Sequence, residues 1–88
     1  MRIDKFLKIS RVIKRRTEAK YACENNCIRI NGKIAKAGDS VKIFDKIEIQ
    51  FRHKILVIEV LRIPESNIPI SSASQLYQII KEEKINLD

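Results

Sequence analysis

The fold is decided by residues 15–36, RRTEAKYACENNCIRINGKIAK, in which the spacing of the apolar residues changes from helical to extended. Ala19, Ala22 and Cys23 recur at intervals of three and four residues, as on one face of a helix. The first half of this stretch therefore predicts a helix from about Arg15 to Asn25 with these small side chains on its inner side.

The second half of the stretch predicts a β-hairpin. Asn26 suits a left-handed helix cap, because asparagine tolerates a positive φ better than most residues. Ile28 and Ile30 then alternate with a polar residue, as in a half-buried strand. Asn31-Gly32 is the dipeptide most favoured in two-residue hairpin turns, so Lys33 to Lys36 should return antiparallel.

Further elements are predicted on both sides of this stretch. Upstream, Ile3, Phe6 and Leu7 are spaced as the buried face of a short amphipathic helix. Downstream, the alternation at residues 47–51 predicts one strand, and Ile55 to Ile63 predicts another that is largely buried. Residues 1–63 are thus expected to form one domain, with two N-terminal helices packed on a small, mainly antiparallel sheet.

The last part of the chain is predicted to be a linker followed by a helix. Pro64 to Pro69 interrupts the strand pattern, and Ser72 and Gln75 have the spacing of a capping box. Residues 76–84, LYQIIKEEK, place three apolar side chains on one helical stripe. The expected architecture is therefore α+β, with residues 64–88 forming the linker and a C-terminal helix.

Positive charge is concentrated at the N-terminus. The first twenty residues hold eight lysines and arginines against two acidic residues, which gives +6 of the net +7 of the chain. Lys14, Arg15 and Arg16 fall at the predicted start of the second helix, where partial positive charge disfavours cations but favours bound phosphate. We predict an RNA-binding surface that includes the turn-flanking residues of the hairpin, and its members are Arg2, Lys5, Lys8, Arg11, Lys14, Arg15, Arg16, Lys20, Asn31 and Lys33.

Other classes of protein fit the sequence less well. A run of charges is often only a solvated face, and a helix lying on a membrane is a further alternative, although the apolar face is short and lacks tryptophan. The apolar runs are too short to cross a bilayer and the N-terminus is too charged for a signal sequence, so a cytoplasmic protein without a membrane partner is expected. Cys23 and Cys27 are expected to be reduced thiols, and we predict neither a metal site nor a cofactor.

Two further functions remain as alternatives. A small nuclease would have to use His53 with Asp39 or Asp45, but one histidine in a charged turn offers no evident catalytic cluster, so we expect no enzyme activity. A structural ribosomal protein, permanently assembled and present in equal amount on all subunits, is the other alternative.

A known pattern has SR, then A, I and G at fixed intervals, then V-x-V-N-G. The chain keeps its spacing at Arg16, Ala19, Cys23, Asn26, Ile28, Ile30, Asn31 and Gly32. It therefore resembles the S4 RNA-binding module, a family named after a small-subunit ribosomal protein. The match extends upstream through Arg2, Asp4, Lys5 and Leu7 and downstream through Val41, Asp45 and Ile47. The departures are Arg15 for serine, Cys23 for isoleucine, Asn26 for glycine and Phe44 for the glycine of a Gly-Asp turn.

Within the S4 family the chain most resembles short, stand-alone members from bacteria of the Bacillus type, through residues 2–20 and 76–84. The resemblance implies a factor of ribosome-associated quality control that binds a large ribosomal subunit obstructed by peptidyl-tRNA. Its implied partners are large-subunit rRNA, peptidyl-tRNA and RqcH, which it assists in adding C-terminal alanine tails to the stalled chain. Arg16 and its basic neighbours would grip the RNA backbone, and the protein would be a ribosome-associated monomer. The alternative is a heat-shock-type factor that recycles large subunits blocked by nascent chains.

Overall fold

The computed structural model describes residues 1–65 and 69–85. This part of the chain forms two α-helices, a short 3-10 helix and five strands joined in one antiparallel sheet of order β2-β1-β3-β4-β5. The elements are α1 Ile3–Ile9, α2 Arg16–Glu24, β1 Ile28–Ile30, β2 Lys33–Ile34, β3 Lys46–Gln50, β4 Lys54–Val60, the 3-10 helix Ile70–Leu76 and β5 Tyr77–Lys84.

Both predicted N-terminal helices are confirmed. α1 buries Ile3, Phe6 and Leu7 completely, and α2 buries Ala19 and Cys23. These side chains join the inward-facing residues of the strands in one hydrophobic core. The α+β architecture therefore arises because the apolar stripe of each helix covers one face of the sheet.

The predicted cap and hairpin are also confirmed. Asn26 follows α2 with a φ of 60°, in the left-handed region. The β1–β2 turn has positive φ at both central residues, 50° at Asn31 and 86° at Gly32, as a type I′ turn requires. Ile30 then pairs with Lys33 across the hairpin.

The predicted C-terminal helix is wrong. Residues 77–84 form β5, which pairs antiparallel with β4 from Val60 opposite Tyr77 to Lys54 opposite Lys84. The segment before it is a 3-10 helix without a side-chain cap, and β4 ends at Val60 rather than at Ile63. Pairing supplies hydrogen bonds to an edge of β4 that would otherwise be open, and this gain outweighs the helix propensity of the segment. Residues 66–68 of the predicted linker and residues 86–88 lie outside the described residues.

The start of the chain is anchored beside the segment that precedes β3. Arg2 forms an isolated antiparallel bridge with Ser40, and the Ile3 N–H donates to the Asp39 carbonyl at 2.7 Å. The Val41 N–H in turn donates to the Met1 carbonyl at 3.0 Å. These contacts fix the basic N-terminal residues in position relative to the sheet.

Cys23 gives a stability prediction with a defined pH range. Burial, reinforced by the nearby carboxylates of Asp4 and Asp39, raises the pKa of this thiol to about 11. Because the folded state disfavours the thiolate, deprotonation of Cys23 favours unfolding. The contribution of the buried thiol to the free energy of unfolding is fully present below the ordinary thiol pKa and is lost as pH rises from about 9 to about 11. We expect wild type to lose about 2–3 kcal/mol relative to Cys23→Ala over this range, measured by urea unfolding at each pH. A difference between the two proteins that stays constant from pH 7 to 11 would contradict this.

Candidate RNA-binding surface

A buried carboxylate joins the starts of the two helices. Asp4 is about 1% exposed, and its two oxygens accept hydrogen bonds from Nε and Nη2 of Arg2, each at 3.1 Å. Arg16, the first residue of α2, brings its Nη2 to 3.6 Å from Asp4 Oδ1. The Lys5 backbone N–H donates to the same oxygen at 2.8 Å. Asp4 therefore positions two guanidinium groups on one side of the molecule.

This cluster keeps an excess of positive charge. Asp4 offers one negative charge to two arginines whose side chains remain 52% and 48% exposed. Arg2 and Arg16 line two adjoining open depressions, which together we call the Arg2–Arg16 groove. Its other lining residues are Met1, Asp4, Lys5, Thr17, Lys20, Ile63, Pro64 and Glu65. Four cations thus face two carboxylates around the groove, so the carboxylates do not neutralise it.

The groove lies at the N-terminus of α2. Arg15 is the N-cap residue, and its side chain accepts no hydrogen bond from the N–H groups of the helix. The first N–H groups of an α-helix have no partner within the helix and present partial positive charge. Together with exposed guanidinium N–H groups, these donors form a surface suited to phosphate oxygens.

The other predicted basic residues of the N-terminal segment lie outside the groove lining. Lys8 is half-buried in the last turn of α1, and Arg11 is exposed in the connection with a φ of 67°. Lys14 and Arg15 are exposed immediately before α2. They add positive charge near the groove, but the structure does not bring them into one cluster with Arg2 and Arg16.

Asn31 and Lys33 lie on the β1–β2 hairpin. The Asn31 amide donates to Asp45 Oδ1 at 3.0 Å and its carbonyl oxygen accepts the Lys46 N–H at 3.0 Å, so this side chain ties the hairpin turn to the start of β3. Lys33 lines a separate depression together with Lys42. The structure therefore gives Asn31 a structural role and places Lys33 in a second basic region.

Sequence reasoning missed two parts of the site. In the sequence, Asp4 was recognised only as a position of the S4 pattern, whereas its buried side chain organises both arginines. Sequence reasoning also missed the groove wall formed by residues 63–65, because these follow β4 and approach the N-terminus only in the fold. The available signal for the role of Asp4 was its position. It follows Arg2 by two residues and lies on a helix face whose other residues are buried.

The structure places two residues of the nuclease alternative at opposite ends of β3. Asp45 directly precedes the strand and His53 follows it, and five residues of an extended strand span about 17 Å. The Asp45 carboxylate is also engaged with the Lys42 N–H at 2.8 Å. A general acid-base pair needs hydrogen-bond reach, and this arrangement does not provide it.

Among residues 1–65 and 69–85, no helix has the length and apolar character needed to span a bilayer.

The class of the protein follows from the helices, the hairpin and the basic groove. The family model described as S4 domain matches residues 1–47, which include α1, α2 and the β1–β2 hairpin that carry the resemblance. The chain is therefore an S4-domain protein.

Comparison with individual proteins narrows this class. The chain is 48% identical over 86 residues to the RQC P-site tRNA stabilizing factor of Halalkalibacterium halodurans, covering 98% of this chain and 97% of that protein. It is 41% identical to the protein of the same name from Streptococcus pneumoniae, covering 97% and 96%. The chain belongs to the family of RQC P-site tRNA stabilizing factors. A trimeric structure of Heat Shock Protein 15 from Vibrio cholerae also superposes with a TM-score of 0.82 at 30% identity, covering 90% of this chain and 80% of that one.

Proposed function

We propose that the protein is a non-enzymatic, cytoplasmic RNA-binding factor of ribosome-associated quality control that holds tRNA on the large ribosomal subunit. The observation that carries this proposal is the 48% identity along 98% of the chain to a relative named for stabilizing P-site tRNA. Because the likeness extends beyond the S4 domain at residues 1–47, it includes β4 and β5 as well as the basic helices.

The groove supplies a physical mechanism for this function. Arg2 and Arg16 present guanidinium N–H groups beside Lys5 and Lys20, and guanidinium can hold a phosphate through two parallel hydrogen bonds. Structured RNA is recognised mainly through its shape, phosphates and 2′-hydroxyls. A rigid pair of helices that fixes these cations would therefore hold RNA backbones in place without any bond being made or broken.

The more detailed form of the proposal concerns the stalled ribosome. The factor binds a large subunit obstructed by peptidyl-tRNA, contacts its rRNA and the tRNA, and acts as a monomer. By holding the tRNA between elongation steps, it assists RqcH in adding C-terminal alanine residues to the nascent chain.

A reconstituted tailing reaction tests this proposal. Obstructed large subunits, RqcH and alanyl-tRNA are incubated with wild-type protein, with Arg16→Ala or without the factor, and the released chains are analysed by mass spectrometry. We expect alanine tails with wild type and their loss in the other two reactions, because the tRNA is then no longer held. Arg52→Ala removes an equal charge from the exposed β3–β4 turn and should support normal tails. Equal tails with and without the factor would refute the tailing role.

The likeness to Heat Shock Protein 15 supports a second candidate function, in which the factor recycles large subunits blocked by nascent chains. Incubating obstructed subunits with the protein in the absence of RqcH separates the two. Retention of peptidyl-tRNA on the subunit favours the stabilizing function, whereas its displacement favours recycling. Sedimentation equilibrium of the free protein distinguishes a monomer from the trimer named for that relative.

A further inference from the structure

We propose that Phe44 is a second RNA contact, which stacks on an unpaired base of the RNA held by the Arg2–Arg16 groove. This inference rests on the proposed function and extends it to another part of the surface. Phe44 is 72% exposed and the neighbouring Ile43 is 50% exposed, so the loop between Val41 and β3 presents an aromatic ring to solvent.

The backbone of Phe44 has a strained conformation. Its φ is 74°, a region that L-residues with bulky side chains rarely adopt. Such strain persists only where the surrounding structure enforces it, and it concentrates at functional sites. Burial does not explain it here, because the side chain gains little contact with the core.

Hydrogen bonds on both sides hold the loop in this conformation. The Phe44 N–H donates to the Val60 carbonyl at 2.7 Å, and the Val60 N–H donates to the Asp45 carbonyl at 2.9 Å. The Asp45 carboxylate accepts the Lys42 N–H at 2.8 Å and an amide N–H of Asn31 at 3.0 Å. These hydrogen bonds therefore fix the backbone that carries the Phe44 ring beside β4 and the hairpin turn.

The charges around the ring favour a nucleotide as its partner. Lys42 and Lys46 flank the loop and are exposed, and Lys33 lines the same depression as Lys42. The carboxylates of Asp39 and Asp45 beside the loop are held by hydrogen bonds from the Lys36 N–H at 2.9 Å and the Lys42 N–H at 2.8 Å, while the three lysine side chains extend into solvent. An aromatic face beside free cations matches a base attached to a phosphate, whereas an apolar protein surface would have to desolvate the lysines.

The loop lies close enough to the groove for one RNA to reach both. Arg2 bridges to Ser40, and the four residues from Ser40 to Phe44 can span at most about 14 Å. This distance corresponds to about four stacked steps of a nucleic-acid strand at roughly 3.4 Å each. Phosphates bound at Arg2 and Arg16 and a base stacked on Phe44 are thus compatible with a single RNA segment.

A tryptophan at position 44 reports on stacking when the emission of the same subunits mixed with wild-type protein, whose sequence contains no tryptophan, is subtracted at each step. Phe44→Trp protein is titrated with purified large ribosomal subunits that carry peptidyl-tRNA, and co-sedimentation is measured in parallel. We expect binding to quench the emission without a blue shift. Phe44→Asn should weaken binding by roughly 5- to 150-fold, as expected for the loss of one stacked base.

Phe44→Asn also separates a binding role from a structural one. Asparagine tolerates the left-handed conformation, so its urea midpoint should equal or exceed that of wild type while affinity falls. A blue-shifted, brighter emission from Trp at 44 would place the ring in a protein pocket and overturn the inference. Unchanged emission with normal co-sedimentation would overturn it as well, but would leave the proposed function standing. Failure of wild type to co-sediment would refute the proposed function itself and, with it, this contact.

Discussion

Replacing Arg16 with alanine is expected to lower the affinity for large ribosomal subunits carrying peptidyl-tRNA by about 10- to 100-fold. A hydrogen bond to a charged group contributes about 1.5–3 kcal/mol, and each 1.4 kcal/mol is a factor of ten in affinity. Arg16 lines both depressions of the groove and keeps about half of its side chain in solvent, so it can reach a phosphate while it remains paired with Asp4. Co-sedimentation at several salt concentrations measures the effect.

Two control variants make this result specific. Arg52→Ala removes the same charge from the β3–β4 turn and should change the affinity little. Arg16→Lys keeps the charge but loses the planar fork, so it should recover only part of the binding. The salt dependence should also become shallower by about one released counterion in Arg16→Ala. Equal losses in Arg16→Ala and Arg52→Ala would mean that only net charge matters and that the groove is not the contact.

Replacing Phe6 with alanine is expected to produce the largest loss of stability, about 3–5 kcal/mol. The ring is fully buried at the centre of α1 and belongs to the hydrophobic core, so its loss leaves a cavity in a small core. For a domain of this size such a loss lowers the melting temperature by on the order of 10–40 °C. Thermal unfolding followed by circular dichroism measures the shift.

The same substitution at an exposed phenylalanine provides the control. Phe44→Ala removes an equal side chain from a position that is 72% exposed, and alanine has no better access to a positive φ than phenylalanine has. Its melting temperature should therefore stay close to that of wild type. If the two variants were equally destabilised, the assignment of Phe6 to the core and Phe44 to the surface would be untenable.

The N-terminal half of the fold was predictable because its local signals agree with its tertiary contacts. The helical spacing of Ile3, Phe6 and Leu7 coincides with complete burial, and Asn31-Gly32 adopts the turn that its conformational preferences favour. In such segments, propensity, pattern and packing all lead to the same structure.

The C-terminal segment was not predictable on the same grounds. Leu76, Ile79 and Ile80 fit a helical stripe, and the lysines and glutamates that follow are good helix formers. In the structure Ile79 and Ile80 are about half exposed, because β5 is an edge strand with no buried face to impose alternation. Residues 77–84 form a strand because they pair with the open edge of β4, and this tertiary contact cannot be predicted from a local pattern.

The candidate site was also only partly predictable from the sequence. The sequence identified the basic segment, since charge density is a property of composition, and it included both Arg2 and Arg16. It could not select these two from the ten residues predicted, because the selection depends on the burial of Asp4 between the starts of the two helices. The sequence marked Phe44 only as the residue that replaces a glycine of the S4 pattern. The exposure of its ring, and the hydrogen bonds to β4 and the hairpin that hold its positive φ, appear only in the fold.

The shared carboxylate of Asp4 has a consequence for how tightly RNA can be held. A free arginine loses up to about 2 kcal/mol of conformational entropy when it is immobilised, and binding normally bears that loss at the moment of contact. Here both guanidinium groups are already restrained by Asp4 in the unbound protein. Much of the conformational entropy of these side chains is therefore lost during folding, and a phosphate binds N–H donors that are already oriented.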